Sequence, residues 1–172
     1  LVQTVLQSNV SNDYIWRGYH PFNEFIGGKA VATCFWIPLK AAFTMMQRRM
    51  DIFFAGKNRL DADDSVWVVS MGHLMGLFDK AWLGIQPTGK IMMLRYCEFN
   101  RVADNKIIET AMYFDIPHLM MQAGLQPFPT QFGAHMVQPG PMTHDGLLFA
   151  PQAAKEGNRT IASINAMIND LG

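Results

Sequence analysis

The clearest pattern of apolar and polar positions lies in two alternating segments, 90–102 and 106–114, which are separated by Ala103-Asp104-Asn105. A period of two predicts β-strands. The Asp-Asn pair favours a tight hairpin turn because both residues tolerate a left-handed backbone. Pro117 fits the first turn of a following helix, and Gly124 fits its end. This part of the chain therefore predicts a β-hairpin and a short closing helix.

The chain before this hairpin starts with a helical pattern. Apolar residues recur at helical spacing in 1–15 and 29–39, and 43–46 would add a further helical turn. Between the helices, 16–23 combines aromatic and polar side chains with a glycine and a proline, which predicts a loop. That loop would either cap a pocket or be held to the core by its aromatic rings.

Strand patterns begin after residue 47. Segments 50–55 and 66–73 are apolar, alternating or β-branched, and predict two further strands. Gly72 and Gly76 predict a bulge or a bend in the sheet, and the acidic segment 61–64 predicts a loop. Helices followed by mostly antiparallel strands predict an α+β fold rather than an alternating α/β fold.

The C-terminal part has a different character. Residues 126–152 are rich in proline and glycine and predict an extended segment. Residues 153–172 return to helical spacing. We therefore expect one domain over 1–125, an extended segment, and a C-terminal helix that either packs on this domain or begins a second copy of it.

Composition narrows the classes of function. The 172 residues suffice for one domain with a sizeable core. Lys plus Arg equal Asp plus Glu at 14 each, so neither nucleic acid nor an anionic membrane is expected as a partner. The longest apolar run, 30–39, is too short to span a bilayer, and no secretory signal is visible. Cys34 and Cys97 lie in apolar segments, which favours buried free thiols in the cytoplasm but leaves a disulfide open.

Methionine and aromatic residues are abundant. The chain contains 13 Met, 12 Phe, 4 Trp and 4 Tyr. Met adapts to irregular shapes and aromatic rings supply wide apolar walls, so together they suit a cavity for a flat hydrophobic molecule. The same composition also fits a Met-rich core with no cavity.

The hairpin and its surroundings carry a resemblance to a known family. The residues concerned are Gly84-Ile85-Gln86-Pro87-Thr88-Gly89-Lys90, Glu98-Phe99-Asn100-Arg101-Val102, Asn105-Lys106-Ile107-Ile108-Glu109, and Asp115 with its helix. Over residues 1–125 the chain resembles the SnoaL-like polyketide cyclases of the nuclear-transport-factor-2-like superfamily. Asn105 stands where that family usually has glycine.

The resemblance implies both a fold and a chemistry. The fold would be an α+β cone, in which a curved mixed sheet and N-terminal helices enclose a pocket, and the domain would dimerise through the sheet. An aspartate at the end of the last strand would act as general base, and Asp115 matches that position. A histidine that often accompanies this strand in relatives is absent, because Glu109-Thr110-Ala111 occupies the region.

Aldol-type ring closure needs a base, donors for the enolate oxygen and walls that exclude water. Asp115 lies among apolar neighbours and is the candidate base, although it could merely cap the helix that follows. His73, near two glycines, is the second catalytic candidate, or else a buried histidine bonded to the backbone. His118 is expected at the surface or as a helix cap, and His135 and His144 are expected to have no catalytic role.

Further side chains are predicted to contact the substrate. Arg95 and Glu98 fall on opposite faces of one strand. A charge on an inward face is costly unless it is paired, so one of them should have a specific partner. The scattered histidines form no metal motif, and no nucleotide-binding motif is present. We therefore expect neither a metal nor a cofactor. The substrate-binding candidates are Trp16, His20, Trp36, Arg95, Tyr96, Glu98 and Tyr113.

These observations predict a cofactor-free enzyme of the cyclase or isomerase type. Its substrate would be a hydrophobic, polyketide-like carbonyl compound, its mechanism carboxylate general-base catalysis, and its assembly a homodimer. Two alternatives stay open: a domain that binds a small hydrophobic molecule without turnover, and a purely structural dimerisation module.

Overall fold

The computed structural model describes residues 1–58, 65–129, 140–141 and 143–171. Its elements, in chain order, are α1 (Val2–Asn9), β1 (Val10–Tyr19), β2 (Asn23–Ile26), α2 (Gly28–Val31), a π-helical segment (Ala32–Trp36), α3 (Ile37–Ala42), β3 (Phe43–Lys57), β4 (Val66–Phe78), β5 (Lys90–Ala103), β6 (Lys106–Phe114), α4 (Ile116–Gln122) and α5 (Ala154–Asp170).

The strands form one six-stranded mixed sheet. Their order is β2-β1-β6-β5-β4-β3. The β1 and β6 strands are parallel, whereas the other neighbours are antiparallel. This arrangement of helices with a mostly antiparallel sheet confirms the predicted α+β class.

The predicted hairpin and closing helix are confirmed. Asp104 and Asn105 form the turn between β5 and β6 with φ of 49° and 58°, as a turn with two left-handed residues requires. Pro117 lies in the first turn of α4. Gly124 follows the helix with φ of 82°, which ends it as predicted.

The predicted boundaries at the N-terminus are wrong in two places. The first helix ends at Asn9, and β1 begins at Val10, because this segment pairs in parallel with β6, a partner that lies about a hundred residues away and that local spacing does not reveal. Similarly, 43–46 opens β3 instead of forming a helical turn.

The aromatic loop predicted for 16–23 is mostly strand. Trp16 belongs to β1 and is 1% exposed, and its ring meets that of Phe22 edge-on with centroids 6.2 Å apart. The aromatic rings therefore hold this region to the core, which is one of the two alternatives considered. The acidic segment 61–64 lies outside the described residues.

The bend predicted at Gly72 and Gly76 is confirmed. The pairing of β3 with β4 shifts register between Thr44 and Gln47 and between Met50 and Ile52, opposite these two glycines. A Cβ at Gly72 would lie 2.0 Å from the carbonyl oxygen of Arg49. The glycine thus allows the bulged strand to approach closely.

The two faces of the sheet have different surroundings. The inner face packs against the helices and carries the core, whereas the outer face presents partly exposed side chains such as Met71 and Tyr113, which are 44% and 48% exposed. Alternation along β5 places Met92, Leu94, Tyr96 and Glu98 on the inner face. The buried apolar core consists of Val10, Tyr14, Trp16, Val31, Phe35, Leu39, Ala42, Phe43, Leu74, Phe78, Trp82, Ile85, Met92, Leu94, Tyr96, Met112 and Leu119.

The C-terminal segment pairs with the edge strand β3, where Leu147 forms an isolated parallel bridge to Phe53. The backbone of Phe53 accepts from Leu148 at 2.6 Å and donates to Gly146 at 2.8 Å. Beyond it, α5 forms as predicted but has no buried residue, so its place in the domain stays a prediction. Among the described helices, none is long and apolar enough to cross a membrane.

Candidate functional site

The structure separates the predicted site residues onto the two faces of the sheet. The inner face carries Trp16, Tyr96 and Glu98, and Trp36 reaches this side from the π-helical segment. The outer face carries His73, Arg95 and Tyr113, with Asp115 just beyond the end of β6. His20 is exposed in the turn between β1 and β2. The two predicted catalytic residues therefore share one face, and most of the predicted aromatic walls lie on the other.

Glu98 is a buried carboxylate on the inner face. It is 8% exposed and forms an ion pair with Arg48 of β3. The Arg48 guanidinium carbon lies 4.8 Å from the ring centroid of Tyr96 and 5.6 Å from that of Trp36. Such stacking on two rings holds the cation in place. The expected charged partner of Glu98 is thus Arg48.

Sequence reasoning missed Arg48 as a functional residue. Two register shifts in β3 reset the alternation of faces along that strand, so counting by twos does not tell which side its charges occupy. The available signal was the alternation along β5, because a carboxylate on the inward face of a strand requires a cation from a neighbouring element.

Hydroxyl groups surround this ion pair. The Tyr96 and Ser70 hydroxyls are 2.8 Å apart. The Tyr14 hydroxyl donates to Oγ1 of Thr110 at 2.8 Å, and Thr110 in turn donates to Oδ1 of Asn100 at 2.6 Å. We call these residues together with the ion pair the inner polar cluster, which comprises Tyr14, Arg48, Ser70, Tyr96, Glu98, Asn100 and Thr110.

Both tyrosines of the inner polar cluster have raised pKa values. Burial raises the pKa of Tyr14, the hydrogen bond to Thr110 offsets part of the shift, and the charge of Glu98 adds to it. Burial also raises the pKa of Tyr96, against the opposing effects of Ser70 and Arg48. Both hydroxyls therefore remain protonated at neutral pH and can act as hydrogen-bond donors.

An aromatic cluster adjoins these groups on the inner face. The ring of Trp16 lies 4.7 Å from that of Phe35 and 5.7 Å from that of Phe25, centroid to centroid. Its indole Nε1 is buried and has no hydrogen-bond partner among the described residues. A buried N–H without a partner costs about 1–3 kcal/mol, so a ligand oxygen placed there would be stabilised.

Asp115 lies on the outer face and caps α4. Its Oδ1 accepts from the backbone N–H of His118 at 2.8 Å, and its Oδ2 pairs with Arg95. The side chain is 31% exposed. The capping role considered from the sequence is therefore present, while a role as base stays a prediction. His118, expected near the surface, is buried at 2% exposed, because α4 packs this side against β5.

His73 is also on the outer face, at 6% exposed. Its Nδ1 lies 3.2 Å from Oδ2 of Asp51, and its Nε2 is buried with no hydrogen-bond partner among the described residues. It faces Arg95 across the β4–β5 pairing. Tyr113, by contrast, stacks on Tyr19 with ring centroids 4.3 Å apart.

Two cavities open on the outer face beside these residues. One has a volume of about 420 Å³ and is bordered by Arg95, Tyr113 and Asp115. The other, of about 310 Å³, is bordered by His73, Asp51 and Arg95. Arg95 thus lines both cavities.

The chemistry of the described residues gives no metal site. No group of three or more His, Cys, Asp or Glu side chains in the described ranges is placed to hold an ion. The described cysteines are both free, and Cys34 is exposed rather than buried as expected, since it points away from the core side that Val31 and Phe35 occupy.

No protein-family model and no curated protein matches this chain. Solved structures do resemble it. A proposed SnoaL-like polyketide cyclase from Jannaschia sp. CCS1 is 18% identical with a TM-score of 0.54, covering 74% of this chain and 80% of its own. A proposed hydroxylase from Streptomyces galilaeus is 19% identical with a TM-score of 0.53, covering 72% of this chain and 75% of its own.

A protein from Burkholderia thailandensis, described as similar to nuclear transport factor 2, is 19% identical with a TM-score of 0.50, and the match covers 73% of this chain and 85% of that protein. At these identities the likeness concerns the fold. The chain therefore has the fold that SnoaL-like and nuclear-transport-factor-2-like structures share.

Proposed function

We propose that the protein is a cofactor-free enzyme of the cyclase or isomerase type that acts on a hydrophobic carbonyl compound at the inner polar cluster. The likeness in fold to proposed polyketide cyclases supports the class of reaction. The observation that carries the proposal is Glu98, a carboxylate 8% exposed beside the aromatic cluster of the inner face.

Glu98 is better placed than Asp115 for the role of base. Its ion pair with Arg48 also provides a cation for the negative charge that is present throughout the reaction. When a proton passes from the substrate to Glu98, the negative charge moves to the enolate oxygen, and Arg48 can stabilise the charge in either position. Tyr96 offers a neutral hydroxyl donor to the same oxygen. Trp16 and Trp36 would form the apolar walls.

Asp115 is the natural control for this assignment. Like Glu98, it is a carboxylate paired with an arginine, but it lies on the outer face. In our proposal Asp115 holds Arg95 and the start of α4, and it does not take the proton.

The experiment is a turnover screen with aromatic polyketide-like esters and diketones. We expect Glu98→Gln to lose at least about a hundredfold in kcat/KM, since a positioned base contributes about that much, and Asp115→Asn to stay within about threefold of wild type. Loss of turnover in Asp115→Asn alone would instead assign the base to Asp115.

A second candidate is a binding domain without turnover. The unpaired Nε1 of Trp16 favours it, because that N–H can hold a ligand oxygen without any chemistry. Saturable binding of the same compounds by wild type, with no product formed and no effect of Glu98→Gln, would support this candidate over the enzyme.

A further inference from the structure

We propose that the outer face carries a second small-molecule site, formed by His73, Arg95 and the cavity of about 310 Å³ between them, and that it takes an apolar hydroxy acid. The hydroxyl of the ligand would donate to Nε2 of His73, and its carboxylate would face Arg95. This site lies on the opposite side of the sheet from the inner polar cluster and does not depend on the proposed enzymatic function.

The first step concerns the proton of His73. Nδ1 lies 3.2 Å from Oδ2 of Asp51. In the neutral ring this carboxylate favours the proton on Nδ1, which leaves the lone pair on Nε2. That lone pair is buried and has no partner among the described residues. An acceptor of this kind is satisfied by a ligand O–H, whereas a ligand that offers only acceptors leaves it unpaired.

The second step concerns the spacing of the two polar groups. His73 and Arg95 are direct cross-strand partners of β4 and β5, so their Cβ atoms are about 5 Å apart. Arg95 contacts Asp115 through Nη2, and a guanidinium has five N–H donors, so a second carboxylate can still bind. Since His73 and Arg95 line the same cavity, one small ligand that carries both a hydroxyl and an acid group can meet them together.

The third step concerns the apolar part of the ligand. The apolar side chains that line the cavity are those of Ile52, Met71 and Pro141. Met71 and Arg95 also border the neighbouring cavity of about 420 Å³, whose wall includes Tyr113. An aromatic ring fits between such side chains. A hydroxybenzoate is small enough for this cavity and carries a hydroxyl and an acid group on one aromatic ring, so 3-hydroxybenzoate is a suitable probe.

The test is a calorimetric titration with 3-hydroxybenzoate, using benzoate as the analogue that lacks the hydroxyl. We expect wild type to bind 3-hydroxybenzoate at least tenfold more tightly than benzoate. His73→Phe should abolish this preference, because the ring is kept and the acceptor is lost. The matched control His144→Phe replaces an exposed histidine and should leave the preference unchanged, as should Glu98→Gln.

Two results would overturn the proposal: equal affinity of wild type for the two acids, or an unchanged preference in His73→Phe. Should His73→Phe fail to fold, the shift of the His73 Cε1–H resonance in wild type decides. We expect 3-hydroxybenzoate to move it and benzoate to leave it nearly unchanged, and no movement with either would refute the site.

Discussion

Among the single residues, the proposed base Glu98 and its control Asp115 are both carboxylates paired with an arginine. Glu98 is buried on the inner face with Arg48, and Asp115 is one-third exposed on the outer face with Arg95. The two pairs have the same chemistry in different surroundings. Their comparison therefore separates the effect of location from the effect of removing a charge.

Removing Arg48 should destabilise the protein. Arg48→Met leaves Glu98 buried without its cation, which we expect to lower the free energy of unfolding by about 1–3 kcal/mol. The double variant Arg48→Met, Glu98→Leu should recover part of this loss, because no charge then stays buried. Urea denaturation of the three proteins measures both effects, and an equal loss in the single and double variants would contradict the ion-pair account.

Alternation along a regular strand predicted part of this site. It placed Arg95 and Glu98 on opposite faces, and the structure gives each a charged partner. It did not tell which face the hairpin presents to the helices, because that depends on contacts between distant segments. It also did not predict the pairing of Arg48 with Glu98 or of Asp51 with His73. Arg48 and Asp51 both lie on β3, where the register shifts interrupt the alternation.

Among the helices and strands, the sequence predicted those boundaries that depend on residues close together in the chain. The turn of the β5–β6 hairpin and the end of α4 depend on single residues with a left-handed backbone. The change from α1 to β1 at Val10 depends on parallel pairing with β6. The spacing of apolar residues within the segment does not reveal such a pairing.

The bend between β3 and β4 requires glycine at position 72. A Cβ there would lie 2.0 Å from the carbonyl oxygen of Arg49, so we expect Gly72→Ala to lower the free energy of unfolding by about 2 kcal/mol or more. Gly56→Ala is the matched control in β3, because its Cβ would meet nothing within 4 Å. Thermal unfolding compares them, and equal melting temperatures would show that the bend tolerates a side chain.

A substitution in the hairpin turn, unlike the one at Gly72, should not lower the free energy of unfolding. Asn105 has φ of 58°, and glycine reaches this region without steric cost. Asn105→Gly should therefore leave the free energy of unfolding unchanged or raise it by a few tenths of a kcal/mol, whereas Gly124→Ala, at φ of 82°, should lower it by about 1 kcal/mol. Chemical denaturation measures the free energy of unfolding of both variants. An Asn105→Gly protein less stable than Gly124→Ala would contradict the prediction.

At the scale of the whole molecule, the described core lies within the segments up to α4, and α5 has no buried residue. Deletion of residues 154–172 should therefore change the melting temperature by less than about 2 °C, because no packed surface is lost. A larger drop, measured by calorimetry, would mean that α5 packs on the domain. The same samples in analytical ultracentrifugation test the expected homodimer.

In the proposed mechanism Glu98, on the inner face, takes a proton from a carbonyl substrate. The most direct measurement is the exchange of the proton next to the carbonyl for deuterium in D₂O, followed by NMR for wild type, Glu98→Gln and Asp115→Asn. We expect exchange catalysed by wild type and Asp115→Asn at similar rates and lost in Glu98→Gln. Exchange that survives in Glu98→Gln but disappears in Asp115→Asn would contradict the account.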